Sequence, residues 1–347
     1  MKLVRTEDAV GQVLCHDITQ IIPGVVKDAV FRKGHIVTKE DIPVLLSVGK
    51  ENLYIWEKQE GMLHENEAAE ILRQICQGEH MHPSEVKEGK IELIADCEGV
   101  LKINTEKLNA VNNLGEMMIA SRHGNFPVKT GDKIAGTRII PLVIEEEKMQ
   151  KACEVAGLPE EPIFRILPYQ KKKAGIVTTG SEVYYHRIED KFTPVVIEKL
   201  KECGVTEVKQ IQCNDDHEMI MEAIQTLIED GSDLIVCTGG MSVDPDDRTP
   251  LAIKNACTEV VTYGAPVLPG AMFMLAYCEK EGRQIPVMGL PGCVMYAKRT
   301  IFDLVLPRIM CDEKLHEKDF RLLGQGGLCL SCPVCTFPNC GFGKGGY

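Results

Sequence analysis

Aromatic residues are scarce in this chain: they fill 5% of its 347 positions, with a single tryptophan, Trp56. Positive charge is scarce as well. Lys and Arg number 39 against 51 Asp and Glu, a formal net charge of −12. That deficit argues against a general binder of nucleic acid or of anionic membranes, because affinity for such surfaces comes from Lys and Arg. A small anionic ligand remains open, since backbone amides and helix ends bind anions locally. No apolar run approaches the roughly 20 residues of a membrane-spanning helix. The opening Met1-Lys2-Leu3-Val4-Arg5-Thr6-Glu7-Asp8 has no apolar signal core, so the cytoplasm is the expected compartment. A Gly-x-x-x-x-Gly-Lys-[Ser/Thr] loop, a Gly-x-Ser-x-Gly elbow and a histidine beside a credible nucleophile are also missing. A P-loop NTPase and a serine hydrolase are therefore not expected.

The length suits two domains. Lys171-Lys172-Lys173 marks the boundary, giving an accessory domain over 1–170, open to further division, an α/β domain over 171–311, and a Gly/Cys-rich tail over 312–347. The accessory half reads as α+β and β-rich, with a small barrel or sandwich. Its pattern predicts helices within Lys39–Val48 and over Glu65–Cys76, the second with Gly78 as a C-cap. Strand-like pieces lie at Leu53–Trp56, Ile91–Ala95, Val100–Ile103, Met117–Ala120 and Ile134–Val143. It shows no chemical constellation. His80 and His82 read as a solvated loop before they read as a metal site.

A regular alternation follows the boundary. Strands are predicted at Ala174–Thr178, Val205–Gln212, Leu234–Cys237, Glu259–Thr262, Met272–Tyr277 and Ile285–Met288. Helices are predicted at Thr193–Cys203, Asp216–Glu229, Thr249–Ala256 and Met295–Met310. In the helix that Asp216 can cap, Ile220, Ala223, Ile224, Leu227 and Ile228 form one apolar face. This spacing predicts an α/β fold, a mostly parallel sheet with helices on both faces.

Chemistry concentrates at strand ends. Leu234–Cys237 runs into Thr238-Gly239-Gly240-Met241-Ser242, then Asp244, Asp246 and Asp247, then Thr249-Pro250 at a helix start. Glycines let a ligand approach backbone N–H groups, and clustered carboxylates suit Mg²⁺. Solvated aspartates beside a helix cap are the plain alternative. Thr178-Thr179-Gly180-Ser181-Glu182 ends the first strand, and Gly289-Leu290-Pro291-Gly292 ends a later one. In a parallel sheet such turns share one edge, so the three predict a cradle for a phosphate-bearing ligand. Asp190 and Thr193, before the first helix, and Asp215, after the second strand, are candidates for its rim. Asp190 and Asp216 read equally well as helix caps. His186 and Arg187 are expected on the rim too.

These motifs, with Pro269-Gly270 between them, resemble in order and spacing the domain shared by molybdopterin molybdotransferases and molybdopterin adenylyltransferases, over about 174–310. More loosely, Ala9–Leu14, Gly34–Val48 and Val128–Val143 are similar to molybdotransferase segments. The resemblance implies binding of molybdopterin or its adenylylated form, Mg²⁺ and molybdate, release of AMP, and a homodimer. It assigns Asp247 to the phosphoanhydride, with Ser181 and Glu182 as first-loop contacts. The chain departs from the pattern: Pro245 stands where molybdotransferases place an acid, and Cys293-Val294 replaces Asn-Pro. Ligand binding survives these departures more readily than catalysis; the function the resemblance implies is binding of (adenylylated) molybdopterin with insertion of molybdate and release of AMP. The alternatives are a carrier or sensor of the cofactor and a nucleotide pyrophosphatase on the same domain.

The tail holds Cys329, Cys332, Cys335 and Cys340, spaced C-x₂-C-x₂-C-x₄-C among glycines. Zinc or an iron–sulfur cluster fits four thiolates. A flexible tail whose thiols react or engage a molybdoenzyme or another cofactor-synthesis protein is the alternative. The other eleven cysteines read as reduced, buried small hydrophobes.

Overall fold

A computed structural model describes residues 2–22, 26–55, 60–158, 160–242, 244 and 247–345; Trp56 and Asp246 lie outside the described residues. The chain forms two compact units. The first is Met1–Asp96, Ile103–Arg122 and Thr130–Arg165, and the second is Cys97–Lys102, His123–Lys129 and Ile166–Tyr347.

In the first unit the helix Glu65–Cys76 forms where its apolar spacing predicts, burying Ala68, Ala69, Leu72, Ile75 and Cys76. His64 accepts from Asn66 N–H at its start, while the Glu67 carboxylate accepts from His64 N–H. The helix packs on a second helix, Glu146–Ala156, and on an open antiparallel sheet. That sheet is ordered Met81–Pro83, Lys90–Ala95, Lys133–Ile139, Met117–Ser121. Gly78 is not the C-cap; Gln77 is, in extended conformation. Gly78 is small because a Cβ there would stand 2.2 Å from the Phe164 carbonyl oxygen. The helix Glu146–Ala156 escaped the pattern since it buries only Met149, Ala152 and Ala156, a stripe too thin to stand out among charges. His82 pairs with Asp96, which gives that histidine a structural partner.

The second unit is built on a six-stranded sheet. Its strands are β1 (Lys173–Thr178), β2 (Glu207–Gln212), β3 (Leu234–Thr238), β4 (Glu259–Tyr263), β5 (Met274–Lys280) and β6 (Arg283–Leu290), ordered β2-β1-β3-β6-β5-β4. The pairs β2/β1, β1/β3 and β3/β6 are parallel; β6/β5 and β5/β4 are antiparallel. The helices are α1 (Phe192–Glu202), α2 (His217–Glu229), α3 (Thr249–Ala256) and α4 (Ile301–Met310). Alternate strand residues feed two cores. Ile176, Leu234 and Val236 join Val196 and Leu200 of α1 and Phe302 and Val305 of α4. Val177, Ile235 and Cys237 join Ile224 and Leu227 of α2 and Ile253 of α3. Burial on both faces explains why these strands read as unbroken apolar runs.

The predicted helix Met295–Met310 is shorter. Gly292–Met295 is a single 3-10 turn, and α4 starts only after Thr300, whose hydroxyl accepts from Phe302 N–H while Asp303 accepts from Thr300 N–H. That capping box starts the helix six residues later than apolar spacing suggested. Asp303 is buried and also pairs with Lys199 of α1 at 2.7 Å and Arg299 at 2.8 Å. The C-terminal segment packs onto this core rather than hanging free: Phe342 is buried, and the rings of Phe126, Phe337 and Phe342 follow one another at 5.9 and 6.2 Å. Among the described residues, no helix is long and apolar enough to cross a membrane.

Candidate functional site

Strand register decides where the glycine loops go. Gln212, Thr178, Thr238 and Leu290, the last residues of β2, β1, β3 and β6, pair in one row across the sheet. The antiparallel strands complete it, with Met274 opposite Gly289 and Tyr263 opposite Met274. The loops that follow Thr178, Gln212, Thr238, Tyr263 and Leu290 therefore emerge on one edge. This is where open α/β sheets bind ligands.

Threonines lock the central loops together. Thr179 N–H and its hydroxyl both donate to the Thr238 carbonyl, at 2.8 and 3.1 Å. The Thr179 and Thr249 hydroxyls are 3.1 Å apart. Thr249 is the first residue of α3, with proline in its first turn, and no side chain caps that end. Gly239 and Gly240 fit this closeness: their φ angles are +88° and +55°, and Cβ atoms there would stand 2.3 Å from Thr179 O and 2.7 Å from Thr249 Oγ1. Gly180, with φ +128°, opens the first loop and is overlain by the Glu182 carboxylate. Ser181 N–H donates to Asp215 Oδ2 at 2.8 Å, which ties the first loop to the one after β2.

The acidic loop is held by its own backbone. Ser242 N–H donates to Asp247 Oδ2 and Asp247 N–H donates to the Asp244 carbonyl, both at 2.9 Å. Tyr263 reaches over from the end of β4, its hydroxyl donating to Met241 O at 3.1 Å. Burial, and then the charge of Asp247, push the Tyr263 phenol above its ordinary range. One atom here has no partner: among the described residues, the buried Thr238 hydroxyl is the only buried side-chain N or O atom without a hydrogen bond. Such an atom at a strand end asks for an explanation, and a polar ligand is one.

Other predicted residues fill different roles. Asp190 Oδ1 accepts from Phe192 and Thr193 N–H, each at 3.0 Å, so it caps the start of α1. Burial raises its carboxyl, but those donors and Gln210 hold it below the ordinary carboxylate value. The Thr193 and Thr178 hydroxyls are 2.8 Å apart, and both receive Gln210 Nε2–H. Asp216 caps α2 by accepting from Met219 N–H. Met241 and Leu290 are core side chains; Met241 packs so close to Gly289 that a Cβ there would stand 2.5 Å from its Cε. Pro269 and Gly270 brace the start of α4: Pro269 O accepts from Ile301 N–H, and a Gly270 Cβ would meet Ile301 Cγ2 at 2.5 Å. Gly292 is different, exposed with open space where a side chain would be. Arg187, exposed, lies over the Tyr185 ring at 5.3 Å. The acid Asp246 lies outside the described residues. Sequence reasoning missed Gln210 and Tyr263, which carry no motif and reach the edge only through strand register.

The tail cysteines are not gathered. Cys332 and Cys335 are exposed, Cys329 and Cys340 half-buried. Among the described residues no group of three or more His, Cys, Asp or Glu is arranged to hold a metal. The zinc or iron–sulfur site expected at these cysteines is thus not shown among the described residues.

Fold and edge together define an α/β domain whose glycine loops gather at the carboxyl ends of its parallel strands. Residues 175–310 match the family described as "Probable molybdopterin binding domain", and residues 3–57 match a "Domain of unknown function (DUF8806)". A "CinA-like protein" of Mycobacterium sp. (strain MCS) is 35% identical over 85 residues, 24% of this chain and 20% of that protein. Another from Mycobacterium avium (strain 104) is 34% identical over 95 residues, 27% and 22%. The chain thus matches only about a fifth of the length of these curated relatives. Among solved structures, the "tungsten cofactor synthesizing protein MoaB" of Pyrococcus furiosus aligns at 23% identity over 36% of this chain and 84% of its own, with a TM-score of 0.32.

Proposed function

We propose that the strand-end edge of the second unit holds the phosphate-bearing end of adenylylated molybdopterin, and that the protein inserts molybdate with release of AMP. The observation that carries this reading is the row Gln212–Thr178–Thr238–Leu290. It brings the loops of a molybdopterin-binding-family domain to one edge, with the unpartnered Thr238 hydroxyl among them.

In this reading the first and third loops, fixed to each other through Thr179 and Thr249, present their amides to phosphate oxygens without reorganising. Ser242 N–H orients the Asp247 carboxylate, and Tyr263 borders it. Gly292 leaves the ligand room on the far side of the edge. The two described acids, Asp247 and Asp244, would hold Mg²⁺ together with water and ligand phosphate, the usual manner for that ion. When bound, Mg²⁺ would neutralise charge on the pyrophosphate bridge. A homodimer, a cofactor-synthesis or molybdoenzyme partner and a cytoplasmic location belong to the same proposal.

The test is incubation with adenylylated molybdopterin, Mg²⁺ and molybdate. AMP release that depends on molybdate is the expected result. Tight retention of the intact ligand would replace the enzyme with a carrier or sensor. Hydrolysis of unrelated nucleotides at equal rates would make it a pyrophosphatase.

A further inference from the structure

Two cysteines that the edge does not use lie in contact. Cys257 is the residue that ends α3, and Cys278 lies in β5. Between them the backbone is pinned: Thr258 N–H and its hydroxyl both donate to the Tyr277 carbonyl, at 3.0 and 2.9 Å. Their neighbours 257 and 278 are thereby held side by side, and the sulfurs are 2.6 Å apart. Cys278 is buried, while Cys257 is partly exposed and supplies the route of access.

We propose that Cys257 and Cys278 are a reversible dithiol–disulfide pair. The oxidant is a low-molecular-weight disulfide. The Cys257 thiolate attacks one of its sulfurs, forming a mixed disulfide and releasing one small thiolate. Cys278 then attacks Cys257 Sγ, closing the protein disulfide and releasing the second. Two electrons pass from the protein sulfurs to the oxidant, and the two protons leave on the released thiols. Closure needs little more than side-chain rotation, because the backbones are already paired.

The bond would close a ring through Tyr263, Pro269 and Gly270 and anchor the far end of the helix that begins at Thr249. Any effect on pterin binding rests on the proposed function; the pair itself does not. Rivals are present. Cys237 lies in the same buried layer as Cys278, and Cys332 and Cys335 are exposed.

The experiment uses the full chain carrying Cys332→Ser and Cys335→Ser, treated with oxidised glutathione, alkylated in denaturant and mapped by peptide mass spectrometry. We expect the loss of two hydrogen masses, one cross-linked peptide joining Cys257 to Cys278, reversal by dithiothreitol, and a higher Tm in the oxidised form. Cys257→Ser should abolish the cross-link. Full alkylation of both residues after oxidation, or a link from Cys278 to Cys237, would overturn the assignment. These readouts contain no ligand, so their failure is distinct from failure of the pterin reading.

Discussion

The glycine loops and the cysteine segment of the second unit invite a direct comparison. The loops are scattered over more than a hundred residues of sequence, yet they meet because four parallel strands end in one row. The cysteines lie within a dozen residues of one another, yet they do not gather. The difference is what carries each group. A strand end has a fixed position in a ladder of hydrogen bonds, whereas a short glycine-punctuated segment places thiols only as well as its anchors do. Those anchors are apolar contacts with the core, which Phe337 and Phe342 make together with Cys329 and Cys340, and they leave Cys332 and Cys335 exposed. Spacing along a chain is a weaker guide to a site than register across a sheet.

The sharpest way to break this comparison is at Gly239. Gly239→Val puts a β-branched residue at φ +88° with its Cβ aimed at the Thr179 carbonyl. It should cost about 3 kcal/mol in urea unfolding, from backbone strain and overpacking. A loss under about 1 kcal/mol would mean the two loops are not locked. Asp247→Asn comes next: AMP release should fall about 100-fold, the scale for losing one preorganised electrostatic group, with ligand affinity retained. Equal turnover would remove Asp247 from the mechanism.

The acid side of the stability profile gives a smaller effect. Asp190 is held below its ordinary value of 3.8 in the folded protein, so its ionised form stabilises above that value. The contribution is lost as pH falls through the folded-state pKa. Asp190→Asn should therefore lower stability at neutral pH and flatten the acid limb below about pH 4; a parallel shift at all pH values would refute the stabilisation by the ionised carboxylate. Smallest of all, Cys332→Ser with Cys335→Ser should change stability by no more than about 0.5 kcal/mol. A larger loss in protein purified without chelator would show that the exposed thiols hold something after all.

Much of this was legible in the sequence. The doubly covered sheet follows from apolar runs such as Leu234–Cys237 alternating with amphipathic helices such as His217–Glu229, and the edge follows from the glycine turns after them. Three things were not. The late start of α4 depends on a capping box at Thr300 and Asp303 that apolar spacing overruns. Gln210 and Tyr263 reach the edge through pairing between strands, which no local motif encodes. Asp190 offered a ligand role and a capping role on equal terms; only the hydrogen bonds from Phe192 and Thr193 show that it caps.

Hydrogen exchange of the full chain with and without adenylylated molybdopterin tests the central claim most directly. Slowed exchange should appear together in the three stretches around Gly180, Gly240 and Gly292, with none in the Cys329–Cys340 segment. Protection confined to one of those loops, or centred on the cysteines, would contradict a single ligand edge.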